Sequence, residues 1–238
     1  MEVLDNSGRK HKAVLNGQDL AGWEATYEAP LTYHYAGLEI GKCGPWSQGP
    51  VQLQTLALLN EMGVADWNPV STDFVHGVTE ALKLAFADRE AYYGDPDFVK
   101  VPLKQLLSRE YNQERSKEIS DRASLELRPG KISGFEVRMP EFDSSGRGDE
   151  RFSAMGIGEP TVSKKGETRG DTCHVDVVDR WGNMVSATPS GGWLQSSPVI
   201  PELGFCLNSR AQMFWLQEGL PATLAPGKRP RTTLTPSM

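Results

Sequence analysis

Residues 129–171 hold frequent Gly and Pro, isolated apolar side chains and a wholly polar run at 144–150, and then give way at once to strict alternation. Cys173, Val175 and Val177 alternate with His174, Asp176 and Val178; Asp179-Arg180-Trp181-Gly182-Asn183 turns the chain into a second β-like run at 184–188. This boundary constrains the fold more than any other feature. A stretch without apolar pattern has too little surface to bury to order itself firmly, whereas two alternating runs joined by a short Gly-containing turn pair as a hairpin of a core sheet. Thr172 stands at the junction. Threonine oxygen is a weak nucleophile at its own pKa and needs an adjacent base. Cleavage of the Asp171–Thr172 bond would supply one, by freeing an α-amine next to the hydroxyl. Thr188 and Ser190 lie at the far end of the second run, placed to face Thr172 across the pair and orient its oxygen.

The first half of the chain reads differently. Leu31–Tyr35 and Leu38–Lys42 flank Ala36-Gly37 as a hairpin. Pro50 opens a helix carrying Val51, Leu53, Leu56, Leu58, Leu59 and Met62, which Gly63 stops. Ser71 caps a second helix, whose core stripe is expected at Val75, Val78, Leu82, Ala85 and Phe86 and whose end is set by Gly94-Asp95-Pro96. A third helix, over 108–119, is rich in Glu, Arg and Lys and is expected to face solvent. After a short strand over 204–208, residues 225–236 read as a loop with little periodicity.

A formal net charge of −6 with no clustered basic face argues against nucleic acid or an anionic membrane as partner. No apolar run is long enough to span a bilayer, and residues 1–20 are too polar for a secretory signal, so no compartment is assigned between periplasm and cytoplasm. Cys43, Cys173 and Cys206 have neither paired count nor CxxC spacing; they are expected as buried free thiols, with no disulfide or zinc site. Both ends begin and stop abruptly, as a central fragment of a longer chain would.

Other chemistries fit less well. His174 with Asp176 or Asp179 suggests a Ser-His-Asp triad, but no Gly-x-Ser-x-Gly elbow occurs. His174-x-Asp176 as a metal site lacks companion ligands, since His11, His34 and His76 offer no matching spacing. Lys164-Lys165 and Lys228-Arg229 are short basic pairs of the kind usually solvated.

Many ordered motifs resemble the central part of γ-glutamyltransferases. In the first half they are Gly44-Pro45-Trp46-Ser47-Gln48-Gly49-Pro50, Ala85-Phe86-Ala87-Asp88-Arg89 and Gly94-Asp95-Pro96-Asp97-Phe98-Val99-Lys100-Val101-Pro102. In the second they are Asp171-Thr172-Cys173-His174, Val177-Val178-Asp179-Arg180-Trp181-Gly182-Asn183, Gly204-Phe205-Cys206-Leu207-Asn208 and Ala225-Pro226-Gly227-Lys228-Arg229-Pro230. The resemblance implies an α+β fold, part of the four-layer αββα sandwich of N-terminal nucleophile hydrolases. It divides the chain into a large-subunit region (1–128), a flexible linker before the processing site (129–171) and a small-subunit region (172–238). It implies processing at Asp171–Thr172, Thr172 as the nucleophile that forms a γ-glutamyl ester, and Thr188 and Ser190 as its supports. Thr232 and Thr233 stand where the family holds the substrate α-carboxylate. The implied partners are a γ-glutamyl or related amide, water or an amine acceptor, and the two subunits of the chain's own precursor; no cofactor or metal is implied.

Three positions depart from the family pattern. Gly192 stands in place of an Asn, and Ser209-Arg210-Ala211-Gln212-Met213-Phe214 replaces the segment whose acidic pair grips the substrate α-amine. Met213 cannot pair with an ammonium, while Arg210 adds a cation to the substrate site and points to a substrate with an extra carboxylate or without an amine. The family's carboxylate-binding arginine and its Gly-Gly oxyanion donors fall outside residues 1–238. An acylase-like or polyglutamate-cleaving amidase of the same fold class, and a non-catalytic relative, are the competing readings.

Overall fold

The computed structural model describes residues 2–4, 10–12, 15–141, 172–190, 199–202, 204–206, 208 and 210–238. In chain order, strands β1 (Glu2–Leu4) and β2 (Lys10–Lys12) precede a short helix α1 (Gly17–Ala21), and β3 (Leu31–Tyr35) pairs with β4 (Leu38–Lys42). Helices α2 (Gly49–Glu61), α3 (Thr72–Tyr92), α4 (Leu103–Leu106) and α5 (Arg109–Ser116) follow. Beyond residue 171 come β5 (Val175–Val178), β6 (Met184–Ala187), β7 (Val199–Ile200) and β8 (Phe205–Cys206), then a 3₁₀ turn at Arg210–Met213. Strands pair only as consecutive antiparallel hairpins among the described residues. The β3–β4 loop places Ala36 and Gly37 at φ 52° and 81°, the left-handed pair that a two-residue hairpin turn needs.

Helices α2 and α3 form the core. Pro50 sits in the first turn of α2, and a side chain at Gly49 would collide with the Cys43 carbonyl oxygen, so the Gly-Pro pair lets the helix start against β4. Val51, Leu53, Ala57, Leu58 and Leu59 are buried along it. Ser71 caps α3 by accepting the Phe74 N–H at 3.2 Å. The α3 stripe differs from the one its large apolar residues predict: Val75 is 60% exposed and Leu82 37%, whereas Ala81, Leu84, Ala85, Ala87 and Ala91 are buried. Alanine holds the close approach to α2 and leaves room for polar residues in the same interface.

Asp88 is the centre of that polar layer. Fully buried, it accepts from Gln54 Nε2 at 2.6 Å, the Gly130 N–H at 2.7 Å, Tyr111 OH at 2.8 Å and Arg115 Nη2 at 3.4 Å. Burial pushes its carboxyl upward against the pull of Arg115 and the other donors. Tyr111 and Arg115 belong to α5, which is therefore less solvent-facing than its charged composition suggests: Asn112 and Arg115 are 0% and 4% exposed. The stretch read as a linker also starts ordered. Ile132 is buried in the core, and Phe135, Val137 and Met139 pack against it, because Gly130 is drawn in by Asp88 and by Tyr92 OH, which donates to the Gly130 carbonyl at 2.6 Å. Residues 142–171 lie outside the described residues.

The last segment is irregular, as expected, yet it is pinned along its length. Asp95, 1% exposed, accepts the Arg229 N–H at 2.7 Å and its Nη2 at 2.9 Å, while Arg229 Nη1 pairs with Glu28. Buried Arg231 donates to Glu90 Oε2 at 2.9 Å and to the Arg89 carbonyl at 3.2 Å. The Thr232 N–H donates to the Trp46 carbonyl at 2.7 Å, and Gly41 and Met238 exchange backbone bonds of 2.6 and 3.1 Å.

The β5–β6 hairpin departs from its expected core position. Val175, Val177, Val178, Met184 and Val185 are 50–67% exposed. A lone two-stranded ribbon has no second layer to bury against, and no other strand pairs with it among the described residues. Cys173 is exposed for the same reason, not buried as expected, and Cys43 is half-buried. The Cys206 side chain lies outside the described ones.

Two stability effects follow. Asp88→Asn turns an acceptor surrounded by donors into a partial donor and leaves Glu118 as the remaining carboxylate on Arg115, which lowers unfolding free energy in urea by about 1–3 kcal/mol. Arg229→Met leaves Asp95 buried and uncompensated at neutral pH, a loss of about 3 kcal/mol. Burial raises Asp95, but the side-chain and backbone bonds from Arg229 outweigh it and hold the carboxyl low; Glu28 is lowered likewise. The Arg229 contribution is therefore fully present above the ordinary aspartate value near 3.8 and fades as pH falls through the lower folded value. The gap between wild type and Arg229→Met narrows accordingly in acid unfolding curves.

Candidate active site

The β5–β6 register pairs Val175 with Ala187 and Val178 with Met184. Continued back along the ladder, it sets His174 opposite Thr188 and Thr172 opposite Ser190, where an isolated antiparallel bridge is present. The Cys173 N–H donates to the Pro189 carbonyl at 3.1 Å and locks this end of the ribbon. At the other end, Asp179 accepts the backbone N–H groups of Trp181 and Asn183, both at 2.9 Å, which fixes the turn and hence the register.

Thr172 Oγ1 donates to Ser190 Oγ at 3.0 Å. The same Ser190 oxygen accepts from Arg210 Nη2 at 3.1 Å, and Arg210 Nη1 donates to Thr233 Oγ1 at 3.1 Å. Arg210 is held in place by its own N–H, which donates to Asn208 Oδ1 at 3.0 Å at the start of the 3₁₀ turn. Four expected site residues thus form one continuous chain of hydrogen bonds: Thr172, Ser190, Arg210 and Thr233. Thr232 adjoins it, 7% exposed, its hydroxyl accepting the Leu234 N–H at 3.2 Å.

Thr188 is placed differently. The register aims it at His174, whose Nδ1 lies 2.7 Å from Thr188 Oγ1, and not at Thr172. The other ring nitrogen of His174 is 3.0 Å from Asp176 Oδ2, and hydrogen bonds from Ser186 and then His174 hold that carboxyl below its usual range. The pairing sum of the hairpin, readable from the turn, separates these partners. The Asp176–His174–Thr188 set lies on an exposed hairpin face, and no cluster of His, Cys, Asp and Glu suited to a metal occurs among the described residues. Met213 is half-buried in the 3₁₀ turn. Asp171 and Gly192 lie outside the described residues.

The arrangement can align a hydroxyl nucleophile. Ser190 fixes the Thr172 hydroxyl by accepting its hydrogen bond, Arg210 supplies a cation two hydrogen bonds from the Thr172 oxygen, and the backbone nitrogen of Thr172 is the atom that bond cleavage would turn into an amine. A glutathione hydrolase proenzyme of Bacillus subtilis subsp. natto is 30% identical over 240 residues, covering 100% of this chain and 38% of the relative. The Acylase ACY 1 proenzyme of Pseudomonas sp. (strain SE83) is 32% identical over 227 residues, covering 94% and 35%. The chain thus spans little more than a third of the length of these curated relatives. Among solved structures, LmbA2991T421A is 53% identical with a TM-score of 0.78, covering 100% of this chain and 38% of that one. Cephalosporin acylase from Bacillus halodurans is 27% identical with a TM-score of 0.64, covering 94% and 34%. The family profile described as Gamma-glutamyltranspeptidase matches residues 2–238, and the chain belongs to that family.

Proposed function

We propose that the protein is a self-processing, γ-glutamyltransferase-like amidase whose nucleophile is Thr172. The observation that carries this reading is the 3.0 Å bond from Thr172 Oγ1 to Ser190 Oγ at the first residue of the ribbon, next to the bond to be cut. Cleavage at Asp171–Thr172 gives Thr172 a free α-amine. That amine takes the Oγ1 proton as the oxygen attacks the amide carbonyl; the substrate amine leaves with a proton, and a threonyl ester remains. Water or an acceptor amine then attacks the ester, the threonine oxygen regains its proton, and the acyl group departs as acid or new amide.

Residues 1–128 then form part of a large subunit, 129–171 the segment ahead of the cut, and 172–238 part of a small subunit. The contacts Asp95–Arg229, Glu90–Arg231, Trp46–Thr232 and Gly41–Met238 hold the pieces together. The exposed apolar faces of β5–β6 suit a site in a four-layer αββα sandwich, where further strands and helices of the complete protein would cover them. On the leading reading the donor is a γ-glutamyl amide of the glutathione type, its α-carboxylate held by Thr232 and Thr233. An acylase-like specificity is the second reading, favoured by Met213 and by Arg210 inside the site.

The first test is the intact mass of the complete protein under denaturing conditions. Wild type yields two fragments meeting at Asp171–Thr172, and Thr172→Ala stays whole; a single uncut mass in both would instead indicate a non-catalytic relative. Ser190→Ala still processes, more slowly, and lowers kcat about tenfold with little change in KM, the kinetic equivalent of one orienting hydrogen bond.

A further inference from the structure

We infer that Arg210 is a specificity-determining residue, binding a carboxylate of the acyl donor beside the nucleophile and rejecting donors that carry an ammonium there. The inference rests on the threonyl-ester reading in its second, acylase-like form, and names a donor class in place of the γ-glutamyl amide. Arg115, Arg229 and Arg231 each meet a carboxylate, on Asp88, Asp95 and Glu90. Arg210 does not. Among the described residues no acid pairs with it, and its two terminal nitrogens meet only the neutral hydroxyls of Ser190 and Thr233. A guanidinium carries five N–H donors in a rigid fork, so after these two bonds one N–H on each terminal nitrogen stays available to an incoming anion.

The Thr233 hydroxyl is suited to share that anion. Thr233 Oγ1 accepts from Arg210 through a lone pair and keeps its own proton free to rotate toward a carboxylate, so side chain and guanidinium can grip the same group. Desolvating a cation without a counter-ion is unfavourable, and a bound carboxylate relieves it; a bound ammonium would instead meet like charge at close range. Distance sets the length of the donor. Arg210 is two hydrogen bonds from Thr172 Oγ1 through one shared atom, Ser190 Oγ, so a carboxylate on Arg210 binds three hydrogen bonds from the attacking oxygen. A short dicarboxylic acid joined through one end to an amine satisfies this geometry: one carboxylate free, one acyl carbon for attack, and no α-ammonium.

The experiment uses the complete protein after processing, with the p-nitroanilides of glutaryl, γ-glutamyl and pentanoyl groups. These share a five-carbon acyl chain and differ in carrying a carboxylate alone, a carboxylate with an ammonium, or neither. Wild type turns over the glutaryl amide with kcat/KM about 10²-fold above the γ-glutamyl amide. Arg210→Gln lowers the ratio of glutaryl to pentanoyl kcat/KM by about 10²-fold, mainly through the glutaryl KM, and Arg210→Lys restores part of it. A wild-type preference for the γ-glutamyl amide overturns the inference without needing any variant to fold. So does a glutaryl-to-pentanoyl ratio that Arg210→Gln leaves unmoved. In both cases a cut before Thr172 and a mass adduct of the acyl group on the small fragment keep the threonyl-ester reading standing. Absence of both cut and adduct removes that reading and this inference together.

Discussion

The paired charges of Asp95 and Arg229 set the position of everything after residue 220. Asp95 lies just past the C-terminal end of α3, inside the protein, and accepts both the backbone and the side chain of Arg229. Two residues on, Arg231 reaches back to Glu90 on α3 itself. Between them these contacts lay an irregular segment against the helical core with no strand or helix of its own. Thr232 and Thr233 follow directly, so the hydroxyls of the site inherit their position from ion pairs formed by the first half of the chain. Buried ion pairs of this kind contribute little net stability but are costly to break, and that asymmetry favours one placement over its neighbours.

The same logic runs through the interior. Asp88, Glu80, Gln54, Asn112 and Arg115 are all nearly inaccessible, and together they form a polar layer between α2, α3, α5 and the chain around Gly130. Each carboxylate has several donors: Glu80 meets Lys83 at 2.6 Å and Arg128 at 2.9 Å, as Asp88 meets Gln54 and Tyr111. A layer that must satisfy so many directional bonds tolerates few alternative packings. It also reaches the start of the stretch 129–141, since the Gly130 N–H donates to Asp88.

This explains which parts of the fold are legible in the sequence. Hairpins β3–β4 and β5–β6 and helices α2, α3 and α5 follow from turn residues, caps and apolar runs, because those signals act within a few residues. The buried face of α3 does not. Periodicity weights Val75 and Leu82, while the true interface is alanine with Glu80 and Asp88, whose burial depends on partners 30 to 50 residues away in sequence. For the same reason α5 reads as a solvent-facing helix. The loop character of 225–236 is legible, but its burial rests on two arginines whose carboxylate partners are more than 130 residues distant.

At the site the division is similar. Thr172 is marked by its place between a pattern-free stretch and an alternating one, and Ser190 by ladder arithmetic, which equally assigns Thr188 to His174. Arg210 is marked in the sequence by its departure from the family pattern and by no periodicity or turn signal of its own, because a lone arginine after Asn208-Ser209 is ordinary in a surface turn. Only the tertiary arrangement brings it near Thr172: the 3₁₀ turn that begins at Arg210 carries its guanidinium between Ser190 on the hairpin and Thr233 on the pinned segment. Three pieces of chain that share no regular structure with one another thus meet at one cation. The Thr172–Ser190 pairing is set by strand register, while the charge beside it rests on a single residue of a loop, because the two depend on different elements.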